Sequence, residues 1–240
     1  MDSTRTEPAA CTRCATCCRK GGPALHREDL VLFGSGVGLD LDGLVTLRAG
    51  EPALDQPRQR VVLLAAEVVK LKTREGTETC AFLDERRLAC RIYDRRPAEC
   101  RALFCRDPKP LARMYETDRI ARADLLPAGH PLLSLIVEHD RRCPPRRLIA
   151  LLKSLARGPD ETAQAELAAL LDYDASVRRL AVERAGLPGP VLDFLFGRPL
   201  STVAAQCGAR IREAGGRLAL SLNAALPALE LLPEVNPHEG

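Results

Sequence analysis

A chain of 240 residues with 46% apolar content and a net charge of +3 can bury a core, as one body or two modest domains, without cross-links. Basic and acidic residues alternate along it, and an aromatic content of 3% without tryptophan leaves few stacking platforms, which argues against a nucleic-acid partner. No run approaches about 18 uncharged apolar residues, so no membrane span is expected.

The first ten residues contain no apolar stretch of the secretory type, which points to a cytoplasmic protein. The excess of arginine over lysine, with abundant alanine and leucine, fits a GC-rich bacterial gene. Cysteine is distributed unevenly: eight of the ten cysteines fall within the first 105 residues.

Cys11, Cys14, Cys17 and Cys18 open the chain, and Gly21-Gly-Pro23 closes that stretch. His26 to Leu30 reads as a short helix start, and the apolar run Val61 to Leu71 suits one buried strand. Cys80 to Asp84 and Leu88 to Tyr93 flank the polar turn Glu85-Arg-Arg87, which predicts a hairpin. Asp94 can then cap a helix running to Phe104, with Pro97 in its first turn, where a missing N–H costs little.

Beyond Pro108 the pattern predicts helices over 111–125, 131–141, 145–157, 160–185, 188–196 and 199–214. The longest has Asp160 as N-cap and an apolar stripe of Ala163, Leu167, Leu170, Leu171, Val177 and Leu180. The expected fold is mostly α. A small, irregular, metal-organised α+β cysteine-rich N-terminal domain with a β-hairpin (1–108) is followed by a helical C-terminal region (109–240).

In a reducing compartment, thiols packed this closely read as metal ligands rather than disulfides. C-x2-C is the spacing at which a tight turn aims two thiolates at one ion, and it occurs at Cys11/Cys14 and Cys14/Cys17. On extended backbone the adjacent Cys17 and Cys18 point to opposite sides, which favours two sites or a polynuclear cluster over one ion.

Cys80 and Cys90 converge across the predicted hairpin. Cys100 lies in the first turns of the following helix, where the dipole favours thiolate, and Cys105 lies at its end. The candidate metal ligands are therefore Cys11, Cys14, Cys17, Cys18, Cys80, Cys90, Cys100 and Cys105. Arg91, Arg95, Arg96 and Arg101 are placed to offset their charge. The cofactor is an iron–sulfur cluster or Zn, and the Cys17–Cys18 adjacency tilts the reading toward the cluster.

These residues are similar to a known pattern. Cys11, Cys14, Cys17 and Cys18, then Cys80-Ala-Phe-Leu83, Cys90-Arg-Ile-Tyr93 and Arg96-Pro97-Ala-Glu-Cys100-Arg101 resemble the bacterial CxxCxxCC, or YkgJ-like, cysteine cluster family in order and spacing. Cys105 fits as the ligand of a C-R-x-x-x-C variant. The resemblance covers roughly residues 11–106. It implies a domain that chelates zinc or iron, related to the cysteine cluster of flagellin lysine N-methylases, and it supplies no reaction.

Outside the pattern, Cys207 on the last predicted helix reads as core. Cys143, close to His139, is a weaker candidate for a ligand or redox role, and His26 has a structural role ahead of a ligand one. His130 before Pro131 looks like a helix-entry residue. G-x-S-x-G and H-E-x-x-H are absent, and no catalytic residue is assigned. The expected function is metal binding, the partners being a metal ion or cluster and, through the helical scaffold, a protein. The alternatives are a flagellin-methylase-like protein-modifying enzyme and a structural zinc interaction module.

Overall fold

Helices form where apolar residues recur at the 3.6-residue period, and short strands and 3-10 turns occupy the cysteine-rich stretch. The computed structural model describes residues 13–34, 36, 39–56, 58–104, 107–214 and 217–222. The strands in chain order are β1 (Leu44–Leu47), β2 (Pro52–Asp55), β3 (Arg60–Leu63), β4 (Val68–Leu71), β5 (Leu83–Asp84) and β6 (Ala89–Cys90). Helices α1 (Ala98–Ala102), α2 (Lys109–Met114), α3 (Pro131–Arg142), α4 (Pro145–Arg157), α5 (Glu161–Glu183), α6 (Leu192–Phe196) and α7 (Leu200–Gln206) follow. A hairpin of β7 (Ala209–Ala214) and β8 (Arg217–Leu222) comes last. The protein is mostly α, with small hairpins in the cysteine-rich part.

The chain divides into two compact units, and both are discontinuous. One comprises Met1–Gly43 and Lys70–Ile120, the other Leu44–Val69 and Ala121–Gly240. β1 pairs with β4, the strand within which the chain passes back into the first unit.

The first unit is tied largely by backbone bonds between distant segments. Gly21 N–H donates to Glu78 O at 2.7 Å, Leu71 N–H to Pro23 O at 3.0 Å, and Lys72 N–H to Gly43 O at 2.8 Å. Gly22 lies so close under the Leu71 carbonyl that a Cβ would overlap it. β5 and β6 pair antiparallel, with Leu83 opposite Cys90. Asp84 Oδ1 accepts from the N–H groups of Arg86 and Arg87 and so closes the turn.

The second unit is built on helix packing. Leu148, Ile149, Leu151 and Leu152 of α4 meet Ala163, Leu167, Leu170 and Leu171 of α5 and Leu200, Val203 and Ala204 of α7 in one apolar core. Asp160 caps α5 by accepting from Ala163 N–H at 2.9 Å, as its sequence position predicts. His130 caps α3 by accepting from Leu132 N–H. β2 and β3 pair antiparallel with Pro52 opposite Leu63, and Val61 and Leu63 pack on the core. Leu25 and Leu83 are buried in the first unit; Phe194 and Phe196 of α6 are buried in the second.

Five local expectations need correction. The run Val61 to Leu71 is two strands, interrupted at 64–67, rather than one. Residues 111–125 form α2, a turn and a 3-10 segment at Arg122–Asp124 instead of one helix. The 188–196 segment begins as 3-10 turn before α6.

α7 stops at Gln206 because Gly208, at φ 85°, turns the chain, and Ala209–Ala214 continues as a strand. On α5, Leu180 is exposed while Asp174 and Ala181 face inward, so the stripe follows 167, 174 and 181 instead of 177 and 180.

Candidate metal centre

Four backbone links bring the cysteine segments together. Cys80 N–H donates to Cys18 O at 2.7 Å, which sets the second cysteine segment beside the first. Leu83 N–H donates to Cys80 O at 3.0 Å, and Arg91 N–H to Phe82 O at 2.9 Å. With the Leu83–Cys90 pair, these bonds draw Cys90 back toward Cys80, as the hairpin expectation requires.

Cys100 sits in the middle of α1, and that helix is held by carboxylates from elsewhere. Asp94 does not cap it; the N-cap is Pro97, which makes no side-chain bond. Instead Asp29 Oδ1 accepts from Ala98 N–H at 2.8 Å, and Glu99 Oε2 accepts from Ala24 N–H at 2.8 Å. Both anchors lie in the segment that follows the first four cysteines. Spacing along the chain could not announce either contact.

Cys17 and Cys18 lie in a 3-10 turn, Cys17–Arg19, with their sulfurs 3.9 Å apart. The expectation of opposed side chains assumed extended backbone, and the helical turn overturns it. Two thiolates on one tetrahedral ion with metal–sulfur bonds near 2.3 Å stand roughly 3.8 Å apart, so this pair fits a shared ion as well as a cluster. Cys14 is exposed and donates to Thr16 Oγ1 at 3.3 Å. Cys80 is buried, and Cys90 and Cys100 are half-buried. Among the described residues no three of these sulfurs lie within 4.8 Å of one another, so the group is a neighbourhood of thiols. Cys11 and Cys105 lie outside the described residues.

Residues 10–110 match the model of the CxxCxxCC family, whose description is "Putative zinc- or iron-chelating domain". This segment, under half of the chain, is similar to that family. No curated protein and no solved structure shows significant similarity to the chain.

The electrostatics of the matched segment follow from burial and from thiols acting on one another. Burial pushes the Cys100 thiol well up, and Cys80, Cys17 and Cys90 add to the rise. Burial likewise raises Cys80 and Cys90. Cys17 moves the other way, to about 6, because Cys18 hydrogen-bonds to it and Arg96 stands near; Cys18 is pushed up in return.

The helix dipole expected to favour a Cys100 thiolate is outweighed by desolvation. Of the four arginines expected to offset charge, Arg91 and Arg96 act on the thiols. Arg96 also stacks on the Tyr93 ring at 3.8 Å, with Arg13 at 4.1 Å from the same ring. Arg101 pairs instead with Glu28 at 2.9 Å. His26 is buried; its Nδ1 meets Thr117 O at 2.7 Å and its Nε2 faces Glu99 Oε1 at 3.5 Å, which is a structural role.

Outside the matched segment, His139, Cys143 and Asp174 gather their ligand atoms within 4.8 Å, all of them buried. Their hydrogen bonding argues against a metal there. Arg48 NH1 stands 3.3 Å from His139 Nδ1 and can only donate, so Nδ1 accepts and Nε2 carries the proton given to Asp174 Oδ1 at 2.8 Å. Asp174 Oδ2 accepts from Leu200 N–H at 2.9 Å, and Arg178 Nε lies within 3.2 Å of both carboxylate oxygens.

No lone pair of the histidine remains for an ion, and two guanidinium groups already supply the positive charge. Burial, with Asp174 adding, pushes the Cys143 thiol up to about 12, so the structure gives that cysteine a core role. Cys207 is also buried in the core, and burial raises it to about 11. Among the described residues, no helix is long and apolar enough to cross a membrane.

Proposed function

We propose that this is a metal-binding protein of the reducing cytoplasm. In this reading Cys11, Cys14, Cys17, Cys18, Cys80, Cys90, Cys100 and Cys105 hold zinc or an iron–sulfur cluster. The observation that carries the reading is the Cys80 N–H to Cys18 O bond, which sets two cysteine segments 62 residues apart side by side. The 3.9 Å Cys17–Cys18 sulfur spacing supports it as well. Thiols pushed up by burial have little tendency to ionise unaided, whereas a bound cation stabilises their deprotonated form. The metal's chemistry in the protein is thiolate coordination.

The test is purification under anaerobic conditions, followed by metal analysis and a visible absorption spectrum. A brown protein with iron and labile sulfide would mark a cluster; a colourless protein with zinc would mark a mononuclear or paired zinc centre. Cys90→Ser and Cys100→Ser should each empty the site as fully as Cys14→Ser. Full metal retention in the Cys90 and Cys100 variants would overturn the shared site.

A further inference from the structure

We infer that Glu99 and Asp29 are positioning residues of this metal centre, holding Cys100 toward the first cysteine segment; the inference rests on the metal reading above. α1 has five residues, too few to persist on its own hydrogen bonds, and Pro97 contributes no side-chain cap. Its orientation must come from outside.

Asp29 supplies part of it by bridging two elements. Its Oδ1 accepts from Ala98 N–H at 2.8 Å, in the first turn of α1, and its Oδ2 accepts from His26 N–H at 2.9 Å. Glu99, next to Cys100, supplies the rest. Its Oε2 accepts from Ala24 N–H at 2.8 Å, and its Oε1 stands 3.5 Å from His26 Nε2.

Both side chains are buried, and a carboxylate removed from water is tolerated only where such donors compensate it. Ala24 in turn forms an isolated antiparallel bridge with Lys70 and follows Cys18 by six residues. Glu99, next to Cys100, is therefore bonded to the segment that leads away from Cys18. Arg101 flanks it, with NH1 at 3.9 Å from Asp29 Oδ1. The two carboxylates thus fix the separation between sulfurs that sequence places far apart.

The test uses the full-length protein loaded with Co(II), whose thiolate charge-transfer bands report both the number of bound sulfurs and their geometry. Affinity is read by competition with a chelator, and thermal unfolding of the metal-free protein controls for folding. Glu99→Ala and Asp29→Asn should each weaken Co(II) binding about 10- to 100-fold, the range typical when a residue supporting a metal ligand is lost. Both should also lower the charge-transfer intensity by the share of one thiolate.

Asparagine at 29 keeps a single acceptor oxygen, and its amide N–H₂ faces the second backbone donor. Glu99→Gln keeps an acceptor for Ala24 N–H and should stay near the wild type in affinity and spectrum. Wild-type binding and spectra in both Glu99→Ala and Asp29→Asn would overturn the inference while leaving the metal reading intact. If Glu99→Ala does not fold, the contrast between Asp29→Asn and Glu99→Gln decides. A wild-type protein that takes up no Co(II) and assembles no cluster on reconstitution with iron and sulfide would refute the metal reading itself, and the positioning role with it.

Discussion

In the unit containing Met1–Gly43 and Lys70–Ile120, elements of two to six residues are tied by backbone bonds and by the carboxylates of Asp29 and Glu99. In the unit containing Leu44–Val69 and Ala121–Gly240, helices of 12, 13 and 23 residues, Pro131–Arg142, Pro145–Arg157 and Glu161–Glu183, supply the main frame. The second unit matches its buried charges internally. Arg122 pairs with Glu67 at 2.6 Å and with Asp140, and Asp174 is held by His139 and Arg178. In the first unit burial raises the Cys80, Cys90 and Cys100 thiols, neighbouring thiols add to the rise, and Arg91 and Arg96 offset part of it. Two parts of one chain thus differ in where their compensating charge comes from. One finds it in arginine alone, and the other, in the reading proposed above, in arginine together with a bound cation.

The largest effect expected from this contrast is on metal removal. In small zinc modules the ion contributes on the order of 10 kcal/mol to folding. A chelator should therefore abolish hydrogen-exchange protection over residues 13–34 and 70–104 and leave residues 131–183 protected. Equal protection with and without chelator would erase the distinction between the units.

A smaller effect is expected at Asp174. Burial works against its carboxylate, but His139, Arg178 and the Leu200 N–H outweigh it and hold its pKa below the usual value. Such a group stabilises the fold above the unfolded-state pKa, near 3.9, and that contribution is lost as pH falls through the folded value. Asp174→Asn should cost about 3 kcal/mol at neutral pH in urea unfolding of the second unit, since it leaves Arg178 without its buried partner. It should also flatten the acid limb of the stability profile, and an unchanged acid limb would remove Asp174 from the account. The smallest effect expected is from Gly22→Ala. A Cβ there meets the Leu71 carbonyl, and overpacking of this kind costs about 1–3 kcal/mol. Calorimetry should show the loss in the first unit alone.

Much of the second unit was readable in the sequence because its signals are local. Asp160, Pro131 and Pro145 mark helix starts, and the spacing of Leu167, Leu170 and Leu171 marks a buried face. The exceptions are residues whose role depends on distant partners. Asp174 occupies a core-facing position on α5, where a charged residue looks like an error until His139 and Arg178 are seen beside it. Gly208 carried a helix-stop signal that the apolar pattern of 199–214 obscured. In the cysteine-rich part the spacing of the thiols was legible, as was the hairpin that joins Cys80 to Cys90. The capping of α1 by Asp29, across 69 positions, was not. Neither was the 3-10 geometry at Cys17–Arg19, because a short turn without a regular apolar period leaves no pattern to read.

The discontinuity of both units bears on how the chain is made. At roughly 5–20 residues per second, synthesis takes about 3 to 12 s to proceed from Cys18 to Cys80. During that interval the emerging polypeptide presents four thiols whose proposed partners in the site do not yet exist. Residues 44–69, which appear next, must also wait, since the helices they join begin after residue 121. The growing chain therefore passes through a stage rich in exposed sulfur and unpaired strand, and oxidising conditions during synthesis should lower its yield.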